Sequence, residues 1–292
     1  MKIKTKGILL VLAALLFITS LFTSCSSPSS ADTPDKNAET ENTSDGTTES
    51  DTPTADSTHT VNVTNENIIE TIGTLSGNCT IVATGDFSNV SLYSIGQAIN
   101  ARHSEDETFF VSFNLSGVRG LTRIEAFAFN QCTALKSIYL PDGVTSIEDA
   151  AFQQCTSLTS INIPDSVTSI GRWAFNMCEG LTNITIPNNV TYIGTMAFQA
   201  CTGLTSINIP SSVSIIDPYA FYYFKGMNIQ NVYFKETDNW KIYELYFDNS
   251  INDYDTIDKT PDDFDLSNPA TAAVYLTSSY YWCQWEHSAT DN

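Results

Sequence analysis

Apolar side chains return along the middle of the chain with a period of 23 residues. The dipeptide Ala-Phe stands at Ala128-Phe129, Ala151-Phe152, Ala174-Phe175, Ala197-Phe198 and Ala220-Phe221. Cys132, Cys155, Cys178 and Cys201 keep the same step, as do Leu135, Leu158, Leu181 and Leu204, and the prolines 141, 164, 187 and 210. Val144 and Ile147 open two further columns that run to Val213 and Ile216. Within one unit, Leu158 to Ile163 alternates at period two and stops at Pro164. This predicts a short strand with Ile161 and Ile163 on one side and Ser160 and Asn162 on the other. Val167 to Ile170 predicts a second short extended segment, and Ala174 to Cys178 is long enough for one helical turn. A unit this small cannot offset the ordering of its own backbone, so units must stack and turn each apolar column into a ladder. The predicted fold is α/β and β-rich: a solenoid of short strands and single helical turns, capped at both ends.

The flanks supply the caps. Val61 and Val63, then Ile68, Ile69, Ile72 and Leu75, then Ile81 and Ala83 predict strand, helix, strand. Val90, Ile95, Ala98 and Ile99 predict a further short helix. Phe109, Val111, Phe113 and Leu115 alternate like an edge strand joining the first coil. At the other end the fifth unit degrades: Phe224 stands in the Cys column, Met227 in the Leu column, and Val232-Tyr233-Phe234 falls two residues late. Beyond it the pattern predicts a helix capped by Ser267 and a strand near Tyr280 to Trp285. The resulting organisation is an N-terminal cap over 61–120, a solenoid over 121–227 and an aromatic, acidic cap over 228–292.

The pattern Ala-Phe-x-x-Cys-x-x-Leu-x-x-Ile-x-Ile-Pro-x-x-Val-x-x-Ile-Gly, present intact from Ala151 to Gly171 and from Ala174 to Gly194, resembles the BspA-type leucine-rich repeats of bacterial surface proteins. Asn114-Leu115-Ser116-Gly117 with Leu121-Thr122-Arg123-Ile124 resembles the lead-in to the first repeat of related spirochaetal lipoproteins. The resemblance implies a leucine-rich-repeat arc, exposure at a cell surface, and adhesion to host or matrix proteins or to other cells. The chain departs from ordinary leucine-rich repeats in lacking their regular asparagine ladder. Glu148 and Asp217 also stand where two units have Gly171 and Gly194.

Ahead of the caps, Lys2, Lys4 and Lys6 precede an uncharged apolar run from Gly7 to Phe22, which reads as an export signal over 1–24. The run ends Leu21-Phe22-Thr23-Ser24-Cys25 and resembles the lipobox of bacterial lipoproteins, with Phe22 where Leu is usual; this implies lipidation at Cys25. An ordinary secretory signal followed by an incidental cysteine is the plainer alternative. Ser26 to Thr60 holds sixteen Ser or Thr, eight acids and one lysine, with no Ile, Leu, Val or aromatic residue, so 25–60 reads as a disordered tether. Loss of three lysines with the signal would take the net charge from −20 to −23. Such a surface is a poor partner for nucleic acid or anionic lipid, which leaves membrane contact to the lipid anchor alone.

Four groups of residues invite a chemical reading. The cysteine ladder could pair, yet equivalent side chains in neighbouring coils point in parallel, which favours free buried thiols, and a line of thiols is no tetrahedral zinc site. Asp253, Asp255, Asp258, Asp262, Asp263 and Asp265 crowd the tail, but an EF-hand starting at Asp253 would meet Asp258 and Phe264 where it needs Gly and Glu. A solvated loop is the simpler reading. Tyr280, Tyr281, Trp282 and Trp285 beside Trp240 suit sugar stacking or the core of a cap, and alternation favours the core. His59, His103 and His287 are scattered, with no Gly-x-Ser-x-Gly elbow and no His-Glu-x-x-His. The chain is therefore read as no enzyme, with neither cofactor nor metal.

The remaining candidate is the outward strand face, with Ser137 and Tyr139, Ser160 and Asn162, Asn183 and Thr185, and Ser206 and Asn208 as ligand-binding residues. Outward strand positions are also simply polar, and the sequence leaves both readings open. The function expected is a monomeric, envelope-anchored binding protein that takes a protein or glycan ligand on this face, at the outer surface of the cell. The alternative is a periplasmic scaffolding lipoprotein with no host ligand.

Overall fold

The computed structural model describes residues 59–222, 229–248, 253–258, 260–261, 264–279 and 283–287, all within the compact unit Thr54–Asn292. The signal segment, Cys25 and nearly all of the tether lie outside the described residues, as do Phe224, Met227, Asp262, Asp263, Tyr280, Tyr281 and Trp282.

The N-terminal segment alternates strand and helix: β1 (His59–Thr64), α1 (Ile68–Ile72), β2 (Asn78–Asp86), α2 (Leu92–Glu105) and β3 (Phe110–Arg119). β1 thus begins inside the stretch read as tether. Short strands follow, two to a coil except where β9 stands alone: β4 (Arg123–Ile124), β5 (Leu135–Tyr139), β6 (Ser146–Ile147), β7 (Ser160–Asn162), β8 (Ser169–Ile170), β9 (Tyr192–Ile193), β10 (Ser206–Ile209) and β11 (Ile215–Ile216). The chain closes with β12 (Asn231–Phe234), β13 (Trp240–Asp248), β14 (Asp253–Asp258), α3 (Pro269–Val274), a π-helical turn (Tyr275–Ser279) and β15 (Gln284–His287).

One sheet runs β1-β2-β3-β5-β7, every pair parallel. β3 is therefore interior, not the edge strand its alternation suggested. β2 occupies the side opposite β5, while Val111, Phe113 and Leu115 join the same buried core as the coils. The sheet stops at β7, because Asn183 to Thr185 forms no strand even though Ile184 and Ile186 are buried as the pattern requires. Parallel strands this short pair weakly, and this coil is held by ladders on its other sides. A separate pair, β10-β12, resumes beyond it, with Ser206 opposite Asn231, 25 positions on: the two-residue lag of the fifth unit.

The second strand of each coil builds the longer sheet, β14-β13-β15-β11-β9-β8-β6-β4. It is parallel from β4 to β11, after which β15, β13 and β14 add antiparallel. Here the prolines' neighbours and the Val and Ile columns turn inward, and Thr145, Thr168, Thr191 and Ser214 each donate a hydroxyl to the backbone carbonyl one coil back.

The third side of the coil differs from the single helical turn expected there. Ala128 to Cys132 and its equivalents are linked hydrogen-bonded turns, entered and left through residues with positive φ such as Trp173 (φ 55°) and Met177 (φ 59°). The left-handed residues rotate alternate N–H groups toward the next coil. Phe152 donates to Ala174 O at 2.8 Å and Gln154 to Asn176 O at 2.7 Å, and this arrangement repeats along the stack. An α-helix would spend those donors within the coil. Beneath the turns Phe129, Phe152, Phe175, Phe198 and Phe221 stack face to face, 5.3–5.4 Å between ring centres.

A polar ladder also runs along the turns. Asn130 donates to Gln153 Oε1 (2.9 Å), Gln153 to Asn176 Oδ1 (3.2 Å), and Asn176 to Gln199 Oε1 (2.9 Å). The chain thus has an amide ladder after all, alternating Asn with Gln. Such a mixed column hides from a search for repeated asparagine.

The ladder cysteines Cys132, Cys155, Cys178 and Cys201 form no disulfide and are buried. Cys155, Cys178 and Cys201 donate their thiols to the carbonyls of Phe129, Phe152 and Phe175 at 3.0–3.1 Å. Cys132, at the end of the row, reaches Gly96 O of α2 at 3.8 Å. That helix sits so close that a Cβ on Gly96 would lie 2.7 Å from Ala128 O. Burial pushes the Cys132 and Cys201 thiols up from 9.0 to about 12 and raises Cys155 and Cys178 well above 9.0. The native state favours the neutral thiol, so this contribution to stability is whole below about pH 9 and drains away as pH climbs toward about 12. Urea midpoints should fall over that window, and Cys132→Ala and Cys201→Ala should each flatten the fall. Ladder thiols that alkylate rapidly at pH 8 in the folded protein would contradict the assignment.

Candidate functional site: the strand face

Side chains that leave the first sheet on the side opposite the core include two rows that cross all five strands. One is a hydroxyl row in register, Thr60, Thr80, Ser112, Ser137 and Ser160. The other runs Asn62, Val82, Asn114, Tyr139 and Asn162. The inward partners Cys79, Ile81, Ala83, Val111 and Phe113 are all buried, and it is their burial that fixes which residues face out.

Of the eight residues read from sequence, Ser137, Tyr139, Ser160 and Asn162 meet in one shallow cleft of about 340 Å³. Thr80, Ser112 and Asn114 complete its polar lining. Those three belong to the N-terminal segment and were not among the candidates, although Thr80 alternates with Cys79 and Ile81, and Ser112 and Asn114 with Val111 and Phe113. Asn183 and Thr185 are exposed on a segment that pairs with neither neighbour, and Ser206 and Asn208 belong to the separate β10-β12 pair. That pair adds Asn231 and Tyr233, each in register beside one of them.

The cleft lining carries no charge and no titratable group other than the Tyr139 phenol. Tyr139 is 49% exposed, and Tyr233 is 46% exposed in β12. Asn114 Oδ1 accepts from Ser116 N at 2.9 Å, which fixes the amide's orientation and leaves its NH2 for another acceptor. Asn162 Oδ1 is buried without a hydrogen-bond partner, an acceptor that costs free energy until a donor reaches it. The arrangement can therefore bind a neutral polar partner.

The other candidates resolve as structure. Trp240 and Trp285 are buried and pack with Phe234, 5.1 and 6.1 Å between ring centres, so they are the core of the C-terminal cap. α3 is capped by Asn268, not Ser267: Asn268 Oδ1 accepts from Ala270 N (3.0 Å) and Thr271 N (3.2 Å), while Ser267 N donates to Asp265. Hydrogen bonds from Thr260 hold the Asp258 carboxyl below its usual range, and bonds from Ser267 do the same for Asp265, so each is engaged in a local turn. No cluster of three His, Cys, Asp or Glu able to hold a metal ion occurs among the described residues. Tyr192 has its phenol pushed up by burial and then by Asp217, which also accepts from Thr195 and Gln284. That network ties β15 to the last coils.

Residues 122–253 match the BspA type leucine rich repeat region in six copies. Among solved structures, a leucine-rich repeat protein of Bacteroides ovatus is 36% identical over 37% of this chain and 28% of its own, with a TM-score of 0.35. The T. pallidum leucine rich repeat protein is 31% identical over 39% of this chain and 58% of its own, TM-score 0.37. A leucine-rich repeat protein of Bacteroides capillosus is 32% identical over 35% of this chain and 78% of its own, TM-score 0.31. The chain thus spans less than two thirds of the first two relatives, and no curated protein matches it. With the 23-residue period, the apolar columns and the six repeat copies in agreement, the chain belongs to the BspA-type leucine-rich-repeat family.

Proposed function

We propose that this is an envelope-anchored binding protein that captures a macromolecule at the outer cell surface on its strand face, without catalysis. Leucine-rich repeats are interaction scaffolds, and stacked coils suit them to that use by repeating side chains at fixed spacing. The observation that carries the reading is the uncharged polar cleft, where cap and coils contribute to one surface and an amide oxygen waits buried for a donor. The lysine-led apolar segment and Cys25 support export and lipid anchoring.

Two measurements test the two halves. Cys25→Ser should abolish incorporation of labelled fatty acid and release the chain from the membrane fraction; unchanged labelling would remove the anchor. Protease added to intact cells should digest the wild-type chain, and full protection until the envelope is opened would exclude surface capture.

For the face, Tyr139→Glu and Asn208→Lys together should weaken capture of the chain's best partner in a panel of immobilised matrix proteins and glycans by at least tenfold, or about 1.4 kcal/mol. Capture that survives in a folded variant would put the site elsewhere. Asn162→Val should weaken capture too, while raising unfolding stability by about 1 kcal/mol in urea, because it removes the unpartnered buried acceptor. A loss of stability of that size would mean that the oxygen is satisfied in the free protein.

A further inference from the structure

The strand face repeats one arrangement in two separate sheets. Tyr139 stands in β5 with Asn114 and Asn162 in register on either side. Tyr233 stands in β12 with Asn208 in register beside it. Both rings are about half exposed, as are Tyr93 and Phe127 elsewhere, whereas the other aromatics among the residues with described side chains are buried or partly buried. Between them the same row offers only Asn162, Thr185 and Asn208, all short and neutral, and the neighbouring row is mostly serine. The two tyrosines lie four coil steps apart. At the 5.3–5.4 Å step of the phenylalanine stack, close to the usual strand spacing, that is about 20 Å.

Resting on the reading of this face as a binding surface, we propose that its ligand is an uncharged linear glycan laid across the strands. One sugar stacks on Tyr139, another on Tyr233, and the asparagines between and beside them bond the hydroxyls. The chemistry of a sugar ring matches what is present. A pyranose has an apolar face of C–H groups that a phenol ring covers, and a rim of hydroxyls that both donate and accept, as amides do. Asn162 Oδ1 needs a donor, and a hydroxyl supplies one without bringing a charge into the cleft.

Charge argues against the anionic members of the class. The cleft lining has no lysine, arginine or histidine, and the chain's net charge of −20 repels a sulfated or carboxylated polymer. A folded protein partner fits less well. Energetic centres of protein interfaces favour tryptophan and arginine as well as tyrosine, and the cleft around Tyr139 and the residues in register beside Tyr233 include neither of the first two. Because the platforms are far apart, a short sugar reaches only one of them. A chain that spans both makes its second contact at a high effective concentration.

The test is calorimetric titration of the full-length chain in detergent with the cello-, xylo-, manno- and chito-oligosaccharide series, disaccharide to hexasaccharide. Heparin hexasaccharide and fibrous matrix proteins serve as comparison ligands. The expected result is one uncharged series whose hexasaccharide binds at least tenfold tighter than its disaccharide, with affinity retained at high salt. Tyr139→Ala and Tyr233→Ala should each reduce that affinity at least tenfold with the urea midpoint unchanged. If no uncharged sugar binds but a matrix protein or heparin does, and Tyr139→Glu abolishes that binding, the glycan assignment is overturned while the strand face stands as the site. If a sugar binds equally well to both alanine variants, the glycan assignment is overturned as well. If nothing binds, the glycan assignment and the binding face fail together.

Discussion

A coil of this chain cannot cover its own apolar side, and every other feature follows from the need to hand that side to an identical neighbour about 5 Å away. Side chains must repeat at each step, which is why five phenylalanines stack nearly parallel and why the thiols of Cys155, Cys178 and Cys201 each find a carbonyl at the same place one coil back. The backbone must also send hydrogen bonds along the stack rather than around the coil. The longer sheet does this in the ordinary way. The turn side does it by holding Phe127, Ala150, Trp173, Met196 and Tyr219 at positive φ. Such a conformation is uncommon for any residue but glycine, and the surrounding ladder sustains it.

The same constraint explains the ends. Where coils stack closely the position after the last isoleucine is glycine: a Cβ on Gly171 would lie 2.8 Å from Asp149 N, and one on Gly194 equally close to Arg172 N. Toward the ends acids take that position, Glu125, Glu148 and Asp217, and Glu148 Oε2 accepts from Ala126 N one coil back while the outer two bond to the caps. Glu125 Oε1 accepts from Tyr93 N and Ser91 at the start of α2, and Asp217 accepts from Gln284 in β15. The antiparallel addition of β15 to β11 then ends the parallel stack, and its Trp285 closes the apolar column against Phe234 and Phe264.

Much of this was legible because it depends on identity between units. Matched columns announce a solenoid whatever the local conformation, and the lag at Val232 showed where the array fails. What escaped depends on differences. The amide ladder alternates Asn130 with Gln153, so no single residue type repeats. The turns at Ala174 to Cys178 have the length of a helical turn, and only coil-to-coil bonding distinguishes the two. Ser267 and Asn268 are both good caps, and adjacency left the choice to geometry. The candidate face was half legible: its coil residues follow from alternation, but Thr80, Ser112 and Asn114 required knowing that β2 and β3 lie beside β5 in one sheet. The gap at Asn183 to Thr185 has no sequence signal, since that unit obeys the pattern as well as its neighbours.

The coils are interchangeable rungs whose one structural demand is register. The most direct measurement is urea unfolding of a chain from which one whole period, residues 174–196, has been deleted so that Trp173 joins Ala197. A single cooperative transition with a smaller denaturant slope, as expected when one coil's buried surface is lost, is the predicted result. Loss of cooperative folding, or behaviour no better than a control lacking 22 residues instead of 23, would contradict it.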